Sequence, residues 1–185
     1  MYFDRRSLMV ASALAPWATG VLAQGAGDAQ NTILLDTKDG RITLRLRPDL
    51  APKHVAQIKT LVKRGFYDGI VFHRVIDGFM AQTGDPTGTG AGKSDLPNIP
   101  AEFSRAPFKR GTIGMARSQS PDSANSQFFI CFGDAAFLNG QYTVIGEVVA
   151  GMDVVDKIKK GAKSDNGSVS NPDKIVKMQL AADAK

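Results

Sequence analysis

The sequence predicts a mainly β protein, a closed antiparallel barrel with two α-helices over its open ends. Three observations carry that expectation. Seven or eight short runs rich in β-branched and aromatic residues are spaced by turn signals, only two stretches show helical periodicity, and strand and helix do not alternate as a parallel sheet requires. Closure follows from the liability of exposed sheet edges, which a barrel removes.

The elements follow in order. NTILLDT and RITLRL (residues 31–37 and 41–46) are strands joined through Lys38-Asp39-Gly40, whose Asp-Gly pair is a hairpin signal. Asp49 can cap the next element, with Pro52 in its first turn. Val55, Ile58, Leu61 and Val62 then recur at helical spacing until Gly65 ends the helix. Residues 70–75 and 79–83 read as strands joined by Asp77-Gly78, and residues 84–100 form a long loop rich in Gly, Pro, Asp and Ser. TIGMAR, SQFFICF and YTVIGEVV are three further strands, and residues 152–160 form a short helix because Val154, Val155 and Ile158 share a face. KIVKMQL alternates as a closing strand.

With 43% hydrophobic and 22% charged residues, 185 residues suit one soluble domain plus a short appendage. The appendage is residues 1–23, MYFDRRSLMVASALAPWATGVLA. Arg5 and Arg6 precede an apolar stretch too short and too mild to span a membrane, and Val21 and Ala23 offer the small-residue pattern of a signal peptidase site. Cleavage is expected after Ala23, with residues 24–31 as a flexible linker and 32–185 as the domain. DRRSLMV resembles a twin-arginine export signal, although Asp4 and Ser7 make a loose match, so the predicted compartment is a bacterial periplasm.

A formal net charge of +5 raises nucleic acid as a partner, but the basic residues are dispersed. The one dense cluster, KIKKGAK, reads as a solvated helix end. Cys131 is the only cysteine, so a monomer has no disulfide; between FFI and Phe132 it reads as a buried apolar side chain. GTGAGKS is out of register for a phosphate loop, since Thr87 stands five residues before Gly92 where glycine is needed. His54 and His73 lack a metal-ligand cluster, and no G-x-S-x-G occurs. His73 is expected to be a hydrogen-bonded interior histidine.

What remains is FHRVIDGFMAQTGDP, a run of large apolar residues that carries Arg74 and Gln82. Either would cost free energy to bury without a partner, so both are candidates to face a ligand. With Phe79, Met80, Phe137 and Leu138 they compose an apolar wall with a few orienting polar groups. Alternation in SQFFICF sends Phe128 and Phe129 to opposite faces, one to the core and one available to the site.

At these residues the sequence resembles the cyclophilins, the barrel-shaped peptidyl-prolyl cis/trans isomerases. The similarity runs from about residue 32 to residue 180 through GFYDGIVFHRVIDGFMAQTGDPTGTGAG, GTIGMARS, SQFFICF and FLNGQYTVIGEVVAGMDVVDKI. It implies an eight-stranded antiparallel barrel with a helix at each end. It also implies that Arg74 and Gln82 are catalytic, and that Phe79, Met80, Phe129 and Leu138 form the proline pocket. Gln127, Phe137, Tyr142 and the backbone at Ala116 and Arg117 complete substrate binding. Three positions depart from the pattern: Arg117 replaces an asparagine, and Phe137 and Tyr142 stand where many eukaryotic members have tryptophan and histidine. The last two resemble bacterial periplasmic members.

The resemblance implies a monomeric enzyme, without metal or cofactor, that acts on X-Pro bonds in peptides and in unfolded or folding exported proteins. Weak cyclosporin binding is expected, because Phe137 lacks an indole N–H. The alternative is a module that holds proline segments without turning them over; an intact Arg74 argues against it.

Overall fold

The computed structural model describes residues 28–184; the segment read as a signal peptide lies outside them. Eight strands form one antiparallel sheet. They are β1 (Thr32–Thr37), β2 (Gly40–Leu46), β3 (Arg74–Ile76), β4 (Met80–Thr83), β5 (Thr112–Met115), β6 (Phe128–Cys131), β7 (Val144–Ala150) and β8 (Lys177–Leu180), in the spatial order β3-β4-β6-β5-β7-β2-β1-β8. Two α-helices lie wholly within the described residues, α1 (Pro52–Lys63) and α2 (Met152–Lys157). Among the described residues, no helix is long and apolar enough to cross a membrane.

The sheet does not close. It is a strongly curled half-barrel that turns 205° about its axis, with its edges 18 Å apart, and this corrects the closed barrel expected from the sequence. The edge strands β3 and β8 do not pair, and residues 161–176 lie against β3 and the chain before it instead. Val75 donates to the Gly167 carbonyl, Gly161 to that of Val75, Val169 to that of His73, and Phe72 to that of Asp173. Only two isolated bridges, Arg74 with Ser168 and Val71 with Lys174, have strand geometry. A continuous ladder is impossible here, because Asn166 and Asn171 adopt positive φ (48° and 50°) and Pro172 has no N–H to donate. The open edge is therefore covered by irregular chain, another way to satisfy its polar groups.

Alternation places Ile33, Leu35, Ile42, Leu44, Phe128 and Ile130 in the main core, where Val55, Ile58 and Leu61 of α1 and Val154 and Val155 of α2 join them. Strands β5 and β6 are buried on both faces, since Phe129 and Cys131 enter a second cluster with Met80, Phe108, Leu138 and Val144. Burial in that cluster pushes the Cys131 thiol up to about 12, so it is inert, as its neighbours suggested.

Three local expectations change. The N-terminus of α1 is not capped by Asp49, which pairs with Arg47; the distant Glu102 carboxylate accepts from the Lys53 and His54 N–H groups and also bonds the His54 ring. At the other end, Gly65 has φ +67° and the Gly65 and Phe66 N–H groups reach the Val62 and Leu61 carbonyls, a Schellman ending that only the glycine backbone adopts readily. Helix α2 stops at Lys157, three residues early, yet Ile158 still enters the core. His73 is interior, but neither of its ring nitrogens has a hydrogen-bond partner.

Candidate functional site

One cross-strand row organises the site. Arg74 of β3 faces Gln82 of β4, Gln82 faces Phe129 of β6, and Phe129 faces Gly114 of β5. Because side chains alternate, the partners in this row share a face, and Met80, two residues from Gln82, shares it too. The run that looked odd in sequence thus presents a cation, an amide and a ring side by side.

Gly114 is needed for the ring. A Cβ there would lie 2.5 Å from Phe129 Cζ and 2.6 Å from Phe108 Cε1, so only glycine leaves room for the two stacked rings, whose centroids are 5.8 Å apart. Phe108 is fixed in turn by the loop that carries Leu138, through its N–H to Asn139 Oδ1 and its carbonyl to the Ala135 N–H. Phe79 and Phe137 pack with centroids 5.2 Å apart, and Tyr142 meets Phe129 edge-on at 6.0 Å. The result is a depression of about 250 Å³ whose apolar walls are Phe79, Met80, Phe129, Phe137 and Leu138, with Arg74 and Gln82 along its border.

The polar side is a directed chain. Arg74 Nη1 donates to Gln82 Oε1 at 3.2 Å, Gln82 Nε2 to Gln127 Oε1 at 2.9 Å, and Gln127 Nε2 to the Gly90 and Gly92 carbonyls at 3.0 and 2.8 Å. An arginine can only donate, so both amide orientations are dictated by it. Arg74 is also gripped by Asn166, Nε to its carbonyl at 3.0 Å and Nη2 to Oδ1 at 2.9 Å. Three of its five N–H groups are thereby engaged and two remain. Burial pulls the guanidinium below its ordinary value, yet it stays a cation at any physiological pH.

The loop at residues 84–92 is held by Asp85, which accepts from the Thr87 N–H and hydroxyl and from the Gly90 and Gly92 N–H groups. Burial raises its carboxyl, but those donors outweigh burial and hold it below the usual carboxylate range. A second, more polar cavity of about 370 Å³ adjoins the depression and shares Gln82, Ala116 and Arg117 with it.

The structure therefore brings Arg74, Phe79, Met80, Gln82, Ala116, Arg117, Phe129, Phe137, Leu138 and Tyr142 around one depression. Gln127 lies behind Gln82 and lines the adjoining cavity, with its amide N–H groups taken by the loop. Sequence reasoning missed Asn166, Phe108 and Gly114. Asp165-Asn166-Gly167 is a turn signal that could have marked Asn166 as an αL residue, but nothing local ties it to Arg74.

A fixed cation with unused donors beside a small apolar depression makes a site with the shape to take a compact ring and the donors to meet a polar atom at its edge. Residues 32–180 match the family described as Cyclophilin type peptidyl-prolyl cis-trans isomerase/CLD. A probable peptidyl-prolyl cis-trans isomerase of Brucella suis biovar 1 (strain 1330) is 57% identical over 196 residues, covering 100% of both chains. One from Helicobacter pylori (strain J99 / ATCC 700824) is 45% identical over 131 residues, 69% of this chain and 80% of that one. Among solved structures, a cyclophilin from Hirschia baltica superposes with a TM-score of 0.77 at 26% identity, covering 93% of this chain and 83% of the other. A Cryptosporidium parvum cyclophilin type isomerase, crystallised in the presence of the dipeptide Ala-Pro, superposes with a TM-score of 0.73 at 27% identity, covering 80% and 98%. The chain belongs to the cyclophilin-type peptidyl-prolyl cis-trans isomerase family and accelerates rotation about X-Pro peptide bonds.

Proposed function

We propose that Arg74 is the group that lowers the rotational barrier and that the depression beside it holds the pyrrolidine ring. The observation that carries this is the Arg74 guanidinium, fixed by Asn166 and Gln82 with two N–H groups to spare. Amide resonance sets a barrier of about 18–20 kcal/mol. When the bond twists, the prolyl nitrogen loses conjugation and becomes a better acceptor, so a donor at Arg74 interacts more strongly with the transition state than with the planar bond. Phe79, Met80, Phe129 and Leu138 hold the ring while the acyl side turns. In this reading the second N–H of Gln82 and the backbone at Ala116 and Arg117 receive the substrate chain, with Phe137 and Tyr142 at the rim.

The substrates we infer are X-Pro segments of unfolded or folding exported proteins, handled by a monomer. The paired Arg5 and Arg6 ahead of an apolar stretch support a periplasmic destination. Isomerisation of a proline peptide by the purified protein, followed by exchange spectroscopy, tests the chemistry. Mass spectrometry of the exported form tests the address, with an N-terminus expected at Gln24. Binding without exchange, or a full-length chain retained in the cytoplasm, would overturn the respective reading.

A further inference from the structure

Arg117 stands where the resemblance implies an asparagine, and it lines the depression. The structure shows where that charge goes. Arg117 Nε and Nη2 donate to the Gln141 carbonyl at 3.3 and 2.9 Å, and Nη1 donates to the Ser118 and Gln119 carbonyls at 2.9 and 3.2 Å. Its guanidinium carbon lies 4.4 Å from the centre of the Tyr142 ring. The edge of the guanidinium thus ties two chain segments together while its face covers a ring of the site.

Both tied parts lead to the depression. Tyr142 abuts Phe129, the ring of the cross-strand row. Gln141 reaches back through Nε2 to the Phe137 carbonyl, and the Gln141 and Tyr142 N–H groups bond the Leu138 carbonyl. Arg117 is thus the outer member of a stack, Arg117 on Tyr142 on Phe129 on Phe108, and the fastener of the turn that carries Phe137 and Leu138. An asparagine side chain ends too close to the backbone to make both contacts.

We propose that Arg117 is a positioning residue for the isomerase site, acting through Tyr142 and the Gln141 carbonyl to hold the Phe137–Leu138 wall against the proline ring. The inference rests on the reading of this depression as the proline pocket. The wall contacts the ring in the planar and twisted states alike, so loosening it weakens binding of both, which raises KM more than it lowers kcat. The fork and the flat face both matter; lysine keeps the charge but supplies neither the two-segment tie nor the stack.

The test is steady-state isomerisation of a proline peptide by the full chain, with the Kd of the same peptide measured by NMR titration. Arg117→Gln and Arg117→Lys should both raise KM and Kd by about 5-fold to 20-fold, the effect of losing a partly desolvated cation–π contact with its hydrogen bonds. The loss in kcat should stay within about 3-fold, since the transition-state donor is untouched. In a Tyr142→Leu background, Arg117→Gln should cost less than it does in the wild type, because the ring contact is already gone and only the tie to the Gln141 carbonyl is left to lose. Unchanged KM in both variants overturns the proposal. A wild-type KM in Arg117→Lys with loss in Arg117→Gln also overturns it, in favour of a direct charge contact with substrate. A collapse of kcat at constant KM would make Arg117 a transition-state group instead. If the wild-type protein shows no exchange, or Arg74→Ala turns over normally, the reading of the pocket itself fails, whatever the Arg117 variants do.

Discussion

Arg74 and Gln82 face each other across β3 and β4, and the guanidinium donates to the carboxamide oxygen at 3.2 Å. A carboxamide beside a donor-only group has one sensible orientation, so Gln82 serves the arginine first and has a single N–H left for substrate. The geometry makes Arg74 a preorganised donor, with its placement settled before any ligand arrives. Arg74→Ala should therefore lower kcat/KM by about 10²-fold to 10³-fold, the range for removal of one such donor. Arg74→Lys should recover little, because an ammonium that kept all three bonds to Asn166 and Gln82 would have no N–H left for the prolyl nitrogen, and it lacks the planar fork that holds them. The half-buried site leaves the main core intact, so melting curves should nearly superimpose. Near-wild-type exchange in either variant would refute the assignment.

Asn166 grips the same guanidinium from the covering segment through both its carbonyl and its side chain, at a backbone φ of 48°. Asn166→Gly keeps the left-handed conformation and the carbonyl but deletes Oδ1, a clean removal of one charge-assisted bond. We expect kcat/KM to fall about 5-fold to 30-fold with little change in stability. Asn166→Ala should show the same activity loss plus a destabilisation of about 1–2 kcal/mol, since a Cβ is strained at that φ. Denaturant titrations beside the assay separate the two contributions, and equal stability of the two variants would contradict the strain argument.

How much of this was legible depends on whether the signal was local. Arg74 and Gln82 stood out because each is a polar interruption of an apolar run; alternation set Phe128 and Phe129 on opposite faces, and only the resemblance chose Phe129 for the site. Asn166 lies 92 residues from Arg74, and Glu102 lies 48 from the His54 N–H it bonds. No periodicity reports such pairs. Gly114 looked like any strand glycine until Phe108 and Phe129 were seen to occupy the space of its missing Cβ. The open sheet was hidden for a related reason. Edge protection is a sound demand on the sequence, but ladder and covering loop both meet it, and the choice rests on turn residues in residues 161–176 whose partners are distant.

Gly114 offers a test of packing under the site. Gly114→Ala places a methyl within 2.6 Å of two stacked rings. Overpacking of this kind costs about 1–3 kcal/mol, or about 2–12 °C in Tm for a domain this size. Tilting Phe129 into the depression relieves the closer of the two contacts, so peptide affinity should fall together with Tm. A variant that loses stability but binds the proline peptide normally would show that the floor relaxes away from the site.

Acid should destabilise the fold in two stages. Burial holds His54 and His73 below the ordinary histidine value, against the opposing pull of Glu102 on His54 and of Asp85 on His73, while Arg74 adds to the depression of His73. The unfolded chain therefore takes up these protons first. Stability is fully present above about pH 6.5 and declines as pH falls towards the folded values. Asp85 and Glu102 are depressed carboxylates whose contribution is present above about pH 4 and is lost as pH falls through their lower folded values. Urea titrations between pH 8 and pH 3 should show a monotonic loss, and His73→Leu should flatten the part above pH 5. A rise in stability from pH 8 to pH 5 would reverse the sign and sink the argument.

Phe137 sets the last expectation. It is 64% exposed and rests on Phe79, so its outer edge reaches solvent at the rim of the depression. The resemblance implies that many eukaryotic members carry a tryptophan here whose indole N–H donates to cyclosporin, and phenylalanine supplies a ring without that donor. An acceptor left poorly satisfied costs on the order of 1–3 kcal/mol, so inhibition should be weaker by about 5-fold to 150-fold. Turnover should not suffer, because the donor we propose for the prolyl nitrogen is Arg74, and its bonds to Asn166 and Gln82 do not involve Phe137. Phe137→Trp can keep the contact with Phe79 and project an N–H from an already exposed edge, so sensitivity should rise while kcat/KM stays within about 3-fold. Tight inhibition of the unmodified protein would show that this rim position does not limit the drug, and an unimproved Phe137→Trp would show that the indole cannot reach the acceptor from this backbone.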